Sequence, residues 1–200
     1  MMNNPLDASF WDNRYIRNET GWDIGQACPA FDHYFLSEDI DRQSRVLIPG
    51  AGNAYEVDML LGHGYSQVTV LDIAPSLAER LQQKYLSNDS VRVLCQDFFA
   101  HEGTYDIILE QTFFCALPPS YREAYARKMH ALLADSAYLV GVLFNRSFEG
   151  GPPFGGSGDE YRSLFEPFFT LEIFESCKRS IAPRRGTELF VKLRKKRIGS

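Results

Sequence analysis

The chain has no cysteine pair spaced to clasp a metal. Its four cysteines, Cys28, Cys95, Cys115 and Cys177, stand apart, and no two form a C-x-x-C. That spacing suits neither a zinc site nor a disulfide frame. The four histidines, His33, His63, His101 and His130, are equally scattered, so no metal is expected. Positive charge is not in excess either. Lys and Arg number 21 against 26 Asp and Glu, a net charge of −5. This argues against a broad phosphate-binding face and so against nucleic acid as a partner. No apolar run approaches the ~20 residues of a membrane span. Met1 to Phe10 lack the basic-then-apolar pattern of an export signal. The expectation is a protein of the reducing cytoplasm with no membrane contact.

What is present is a globular composition, 44% hydrophobic and 24% charged over 200 residues. That length fits a single domain, 1–200. Short apolar runs alternate with helical patterns. Arg45 to Ile48 reads as a strand, Ala54 to Gly62 as a helix, and Val68 to Leu71 as a strand ending at Asp72. Pro75 to Leu86 is helical, and Val91 to Leu94 is a strand ending in Gln96-Asp97. Tyr105 to Leu109 is a strand ending in Glu110-Gln111. Ser120 to Leu133 is a helix and Ala137 to Phe144 a strand. Gly150 to Gly158 is too rich in Gly and Pro for either element. Asp159 to Phe165 reads as a helix capped by Asp159, and Phe169 to Phe174 and Glu188 to Leu193 as β runs. Ahead of all this, 1–44 is aromatic, with a helix over Asp32 to Ile40. Strands alternating with helices imply an α/β fold of parallel βαβ units.

Four successive strand ends carry a glycine turn or an acid. Pro49-Gly50-Ala51-Gly52 follows the first strand. Glycines there let a ligand approach the backbone where a Cβ would collide, and the amides of the next helix face that ligand. Alone, the turn is equally explained as a tight corner. Asp72 follows Gly50 by 22 positions, where an acid accepts hydrogen bonds from ribose hydroxyls; its bland alternative is a helix cap before Ser76. Asp97 and Phe98 stand where a carboxylate and an amide reach an adenine ring. Glu110 and Gln111 end the fourth strand. All four lie on the sheet edge where open α/β folds bind ligands. Trp11, Tyr15 and Trp22 are spaced as one helical stripe. They serve either as core packing or as a cap whose ring faces meet a cation.

On these residues the chain resembles the thiopurine and halide/thiol methyltransferase family, within the class I methyltransferases. The resemblance is carried by Trp11-x-x-x-Tyr15, Gly21-Trp22-Asp-x-Gly25, Val46-Leu-Ile-Pro-Gly-Ala-Gly52, Asp72-Ile73, Thr112-Phe-Phe-Cys-Ala116, Gly150-Gly-Pro-Pro-Phe154 and Tyr161-Arg-Ser-Leu-Phe165. It implies a Rossmann-like, mostly parallel sheet with an antiparallel C-terminal strand, helices on both faces, and 1–44 as a cap. It also implies S-adenosyl-L-methionine as cofactor, contacted by Trp11, Tyr15, Trp22, Gly50, Gly52, Asp72, Asp97, Phe98, Glu110 and Gln111. The acceptor would be a small soft nucleophile, a thiol, halide or related chalcogen. Phe113, Phe114 and Phe154 would wall its pocket, and Gly150 to Gly158 would lie over it as a lid. Tyr15, Gln111 and Leu143-Phe144-Asn145 depart from the family pattern, and those departures bear on the acceptor.

Two other enzyme classes lack their marks here. A nicotinamide oxidoreductase wants a third glycine, where Asn53 and Ala54 stand, and often a Tyr-x-x-x-Lys; Tyr125 and Lys128 are three apart. A base-amino methyltransferase wants Asn/Asp-Pro-Pro-aromatic where Glu110-Gln-Thr-Phe113 stands. A cofactor-binding protein without catalysis stays open on sequence alone.

Overall fold

A computed structural model describes residues 6–197; 1–5 and 198–200, the outermost positions of the expected single domain, lie outside the described residues. The strands are β1 (Val46–Pro49), β2 (Val68–Asp72), β3 (Val91–Cys95), β4 (Tyr105–Gln111), β5 (Leu133–Phe144), β6 (Phe169–Ser176) and β7 (Glu188–Lys195). The helices are α1 (Ala8–Ile16), α2 (Pro29–Ser37), α3 (Tyr55–Gly62), α4 (Pro75–Lys84), α5 (Arg122–Leu132) and α6 (Gly158–Phe165). One seven-stranded sheet runs in the order β3-β2-β1-β4-β5-β7-β6. β1 pairs parallel with β2 and β4, β2 with β3, and β4 with β5. β7 pairs antiparallel with both β5 and β6. Only β7 therefore runs against the rest, as the mostly parallel arrangement requires.

Helices cover both faces. Val46, Ile48 and Val70 point toward Phe31 and Phe35 of α2, Val57 and Leu60 of α3, and Leu77 and Leu81 of α4. Leu47, Ile108 and Leu139 point the other way, toward Tyr125 and Met129 of α5 and Phe165 of α6. A central parallel strand covered twice reads as a continuous apolar run, and all four residues of β1 are buried. The order reverses between β1 and β4, so the chain leaves those neighbouring strands toward opposite faces. The crevice formed there, outside the strands' carboxyl ends, is where doubly wound sheets bind ligands.

Several boundaries differ from the sequence reading. α2 spans Pro29–Ser37 rather than Asp32 to Ile40, because Pro29 is pre-set for a first helical turn. α6 is capped by Ser157, not Asp159. The Ser157 hydroxyl accepts from the Glu160 amide while the Glu160 carboxylate accepts from the Ser157 amide, a reciprocal capping box. β5 begins at Leu133, where it pairs with Tyr105, and it passes through Ser136 at φ 61°. α1 ends at Ile16, so Trp22 reaches Trp11 and Tyr15 by a turn of the chain and not along one helix.

Candidate active site

A cavity of about 530 Å³ opens at the carboxyl ends of β1 to β4. Gly50 turns the chain away from β1 at φ +59°, and its amide donates to Leu71 O at 2.7 Å. A Cβ there would strike the Phe113 ring, so the position demands glycine for both space and φ. Gly52, at φ +53°, faces the Tyr15 hydroxyl.

Asp72 ends β2 and is 7% exposed. Its Oδ1 accepts from the Ala74 amide at 3.0 Å and its Oδ2 from Gly52 at 3.4 Å. Burial pushes its pKa up to about 6, the amides of Ala74, Gly52 and Ile73 offsetting only part of the cost of the charge. It does not cap α4. That role falls to Asp12 of α1, whose Oδ1 accepts from the Ser76 amide at 2.8 Å and the Ser76 hydroxyl at 2.6 Å. Asp72 is thus left with unspent acceptor capacity toward the cavity it lines.

Asp97 lines the same cavity, with Oδ1 held by the Phe99 amide at 2.9 Å. Phe98 lies beneath it, edge-on to Phe113 at 5.0 Å between centroids. Trp11, Tyr15 and Trp22 also line the cavity. Trp22 packs T-shaped against Trp11 at 5.5 Å and against Tyr15 at 5.7 Å. Burial, and then the Asp72 carboxylate, hold the Tyr15 hydroxyl well above its usual range. Gln111 lies elsewhere, on a side chamber of about 50 Å³ that also touches Trp22, Gly50 and Thr112 of the main cavity.

Glu110 is not on either wall. It is 1% exposed, and its Oε1 accepts from the amides of Phe113 at 3.0 Å and Phe114 at 2.9 Å. Its Oε2 accepts from the Tyr125 hydroxyl at 2.5 Å. The carboxylate is consumed in holding the turn that carries Thr112 at φ +59°, a strained setting for a β-branched residue. The Glu110 side chain thus clamps the turn from behind the cavity wall instead of lining it. The same clamp divides the two phenylalanines. Phe113 lines the cavity, whereas Phe114 is 1% exposed and packs on Tyr125 and Tyr161 at 5.0 and 5.2 Å. Phe154 is also off the wall. Its amide donates to Cys115 O at 2.6 Å, and Pro152 and Pro153 face the cavity instead.

Cys115, Leu117, Tyr121 and Ala124, none of them among the sequence-predicted site residues, also line the cavity. Cys115 stood within the Thr112-to-Ala116 motif and Tyr121 and Ala124 within the expected Ser120-to-Leu133 helix, but neither marked a cavity wall. Gln96 also lines the cavity, its Oε1 3.2 Å from His101 Nδ1, while His101 Nε2 is 2.8 Å from the Tyr105 hydroxyl. The loop bearing Pro152 is fastened by Arg122, which donates to Gly155 O at 2.5 Å, and by Gly156 donating to Arg146 O at 3.0 Å. The charged residues on the main wall are Asp7, Asp72 and Asp97; no Lys, Arg or His is among the described residues there. No helix among the described residues is long and apolar enough to cross a membrane.

A family model described as thiopurine S-methyltransferase (TPMT) matches residues 6–197. The probable thiol methyltransferase 2 of Arabidopsis thaliana is 30% identical over 188 residues, covering 89% of this chain and 81% of its own. The thiocyanate methyltransferase 1 of Brassica oleracea is 28% identical over 190 residues, covering 92% and 83%. Among solved structures, the Burkholderia thailandensis 1,6-didemethyltoxoflavin-N1-methyltransferase, with 1,6-didemethyltoxoflavin and S-adenosylhomocysteine bound, superposes with a TM-score of 0.72. It is 22% identical and covers 95% of this chain and 87% of that one; the likeness is one of fold.

Proposed function

The chain belongs to the thiopurine S-methyltransferase family, and from that premise we propose that its cavity transfers a methyl group from S-adenosylmethionine to a small soft nucleophile, a thiol foremost. The single observation that carries this reading is the convergence of Gly50, Asp72 and Asp97 on one cavity at the switch point of the sheet.

The residues fit the cofactor. Gly50 leaves a cradle that a Cβ would fill. Asp72, buried on the cavity wall, would accept the ribose hydroxyls. Asp97 and the Phe98 amide would hold the adenine. Trp11, Tyr15 and Trp22 would turn their electron-rich rings toward the cationic centre. Gln111 would meet the methionyl end from the side chamber. Glu110 is a positioning residue, keeping Thr112 and Phe113 in place.

When bound, the cofactor supplies a methyl group activated on a positively charged sulfur. The chain's own residues then have three tasks: to hold the acceptor in line, to exclude water and to leave the nucleophile free. Phe113, Leu117, Tyr121 and Pro153 give an apolar acceptor wall. Positioning of this kind is worth up to ~7–11 kcal/mol in favourable systems, and a dry site sharpens every electrostatic contact within it. A thiol is already a competent soft nucleophile once its proton has passed to water, so no buried base is required.

We read the chain as one domain, with 1–44 as a cap over the cofactor. The net charge of −5 supports a small-molecule acceptor over nucleic acid, and four free cysteines support a cytoplasmic setting. The test is a methyl-transfer assay over thiols, halides and selenium or tellurium compounds, alongside titration calorimetry with S-adenosylhomocysteine. Binding without turnover across that panel would support a regulatory cofactor-binding protein instead.

A further inference from the structure

The side chamber behind the glycine turn has its own chemistry. It is about 50 Å³, room for a group somewhat larger than one water at roughly 30 Å³ each. It carries two carboxylates, Asp23 and Glu56, and no Lys, Arg or His among the described residues lining it. Asp23 is spent. Its Oδ1 accepts from the Gly25 amide at 2.6 Å, and its Oδ2 accepts from the Asn53 side-chain amide and from the Tyr55 hydroxyl. The cation that approaches, Arg80, ends on Asn53 Oδ1 at 2.6 Å.

Glu56 is different. It stands in the first turn of α3 and is 6% exposed. Its Oε1 accepts from the Cys28 amide at 3.0 Å. None of the ion pairs among the described residues includes it. A buried carboxylate with no counter-charge is costly, and burial raises its pKa. The lining of the chamber therefore suits a small cationic group. It joins the main cavity at Trp22, Gly50 and Thr112.

We propose that Glu56 receives the α-ammonium of the cofactor's methionyl end in this chamber. The assignment rests on the cofactor reading of the main cavity and adds to it a named counter-ion. The residues just before the glycine turn are Ile48 and Pro49, so no carboxylate stands there. Glu56 supplies the charge from the far side of the turn. An ammonium donating to its carboxylate would satisfy the remaining lone pairs and neutralise the pair.

The competing role is structural, because the Cys28 amide opens α2, which has no side-chain cap. Glu56→Gln separates the two roles, since the amide oxygen still accepts from Cys28 while the charge is gone. The experiment is titration calorimetry of wild type and Glu56→Gln with S-adenosylhomocysteine and with its analogue lacking only the α-amino group, with thermal melting of both proteins. The variant is expected to lose about 10–100-fold in affinity for S-adenosylhomocysteine, the range of a charge-assisted hydrogen bond. The amino-free analogue is expected to bind both proteins alike, and the variant to melt no lower than wild type. Wild type by itself must prefer S-adenosylhomocysteine over the analogue by about tenfold or more, which keeps the test open should the variant misfold. Equal losses for both ligands, or no loss, would overturn the assignment alone. If wild type binds neither ligand, the cofactor reading falls and the assignment with it.

Discussion

Asp12 and Ser76 join the first helix to the start of α4. One carboxylate oxygen accepts both the Ser76 amide, at 2.8 Å, and its hydroxyl, at 2.6 Å. The bond does two jobs. It caps a helix whose own N-cap residue, Ala74, offers no side chain for the purpose. It also fastens α1, which has no fully buried residue, with Trp11 and Tyr15 turned to the cavity. Asp12→Ala should therefore lower stability by about 1 kcal/mol, as a lost cap does. It should weaken S-adenosylhomocysteine binding more than that loss alone explains. Denaturant unfolding and calorimetry on the same variant compare the two effects; an unchanged affinity would show that the latch does not hold the cap.

Asp72 gives a pH signature. Its carboxylate is held up to about 6 by burial, with the Asp12 charge adding to the rise. The ionised form is the one able to accept two ribose hydroxyls. Cofactor affinity should be full well above pH 6 and fall as pH drops through it, approaching tenfold per unit. Stability of the ligand-free protein should move oppositely. Protons are bound more tightly in the folded state, so this group's contribution is present at low pH and lost as pH rises through about 6. Asp72→Asn should flatten both profiles. A wild-type affinity that stays constant from pH 5 to pH 8, measured by calorimetry, would refute the ribose assignment.

Glu110 should dominate a second, purely structural profile. Burial lifts it from an ordinary 4.5 to about 7, against the pull of the Phe114 and Phe113 amides and the Tyr125 hydroxyl. Its favourable contribution is complete below about pH 4.5 and lost as pH rises through 7, a change on the order of 3 kcal/mol. In Glu110→Gln the stability difference between pH 4.5 and pH 7.5 should shrink by about that amount, read from urea midpoints. Identical pH dependence in variant and wild type would show that the clamp is ionised throughout.

Phe113 and Phe114 are neighbours with opposite fates, and alanine at each should separate function from stability. Phe114→Ala empties a core position between Tyr125 and Tyr161 and should cost about 3–5 kcal/mol. Phe113→Ala should cost less and raise the acceptor KM several-fold, with cofactor affinity little changed. Reversed outcomes in thermal melting and steady-state kinetics would place the acceptor on the other side of the Glu110 clamp.

Much of this was legible in the sequence. Alternating apolar runs marked the strands and their parallel βαβ linkage, because β1 and β2 are almost wholly buried and carry no competing pattern; the order of the strands across the sheet had no local mark. Gly50, Asp72 and Asp97 could be placed because strand ends are marked by the loss of apolar residues. What could not be read was direction. Glu110 looks like a ligand-facing acid at a strand end, yet a left-handed Thr112 rotates the following amides onto it and turns Phe114 inward. The Ser157 cap was masked by Asp159, an equally good capping residue two positions on. Asp12 and Ser76 are far apart in sequence, and nothing local in either announces the other.

Catalysis itself is read from product formation. Purified protein, S-adenosylmethionine and an uncharged aryl thiol are incubated at pH 7.5, and S-adenosylhomocysteine and methyl thioether are quantified together by mass spectrometry. The two products are expected in equal amounts, in proportion to enzyme, and both are expected to be lost in Asp72→Ala. Tight S-adenosylhomocysteine binding with neither product, across thiols, halides and selenium or tellurium compounds, would contradict catalysis.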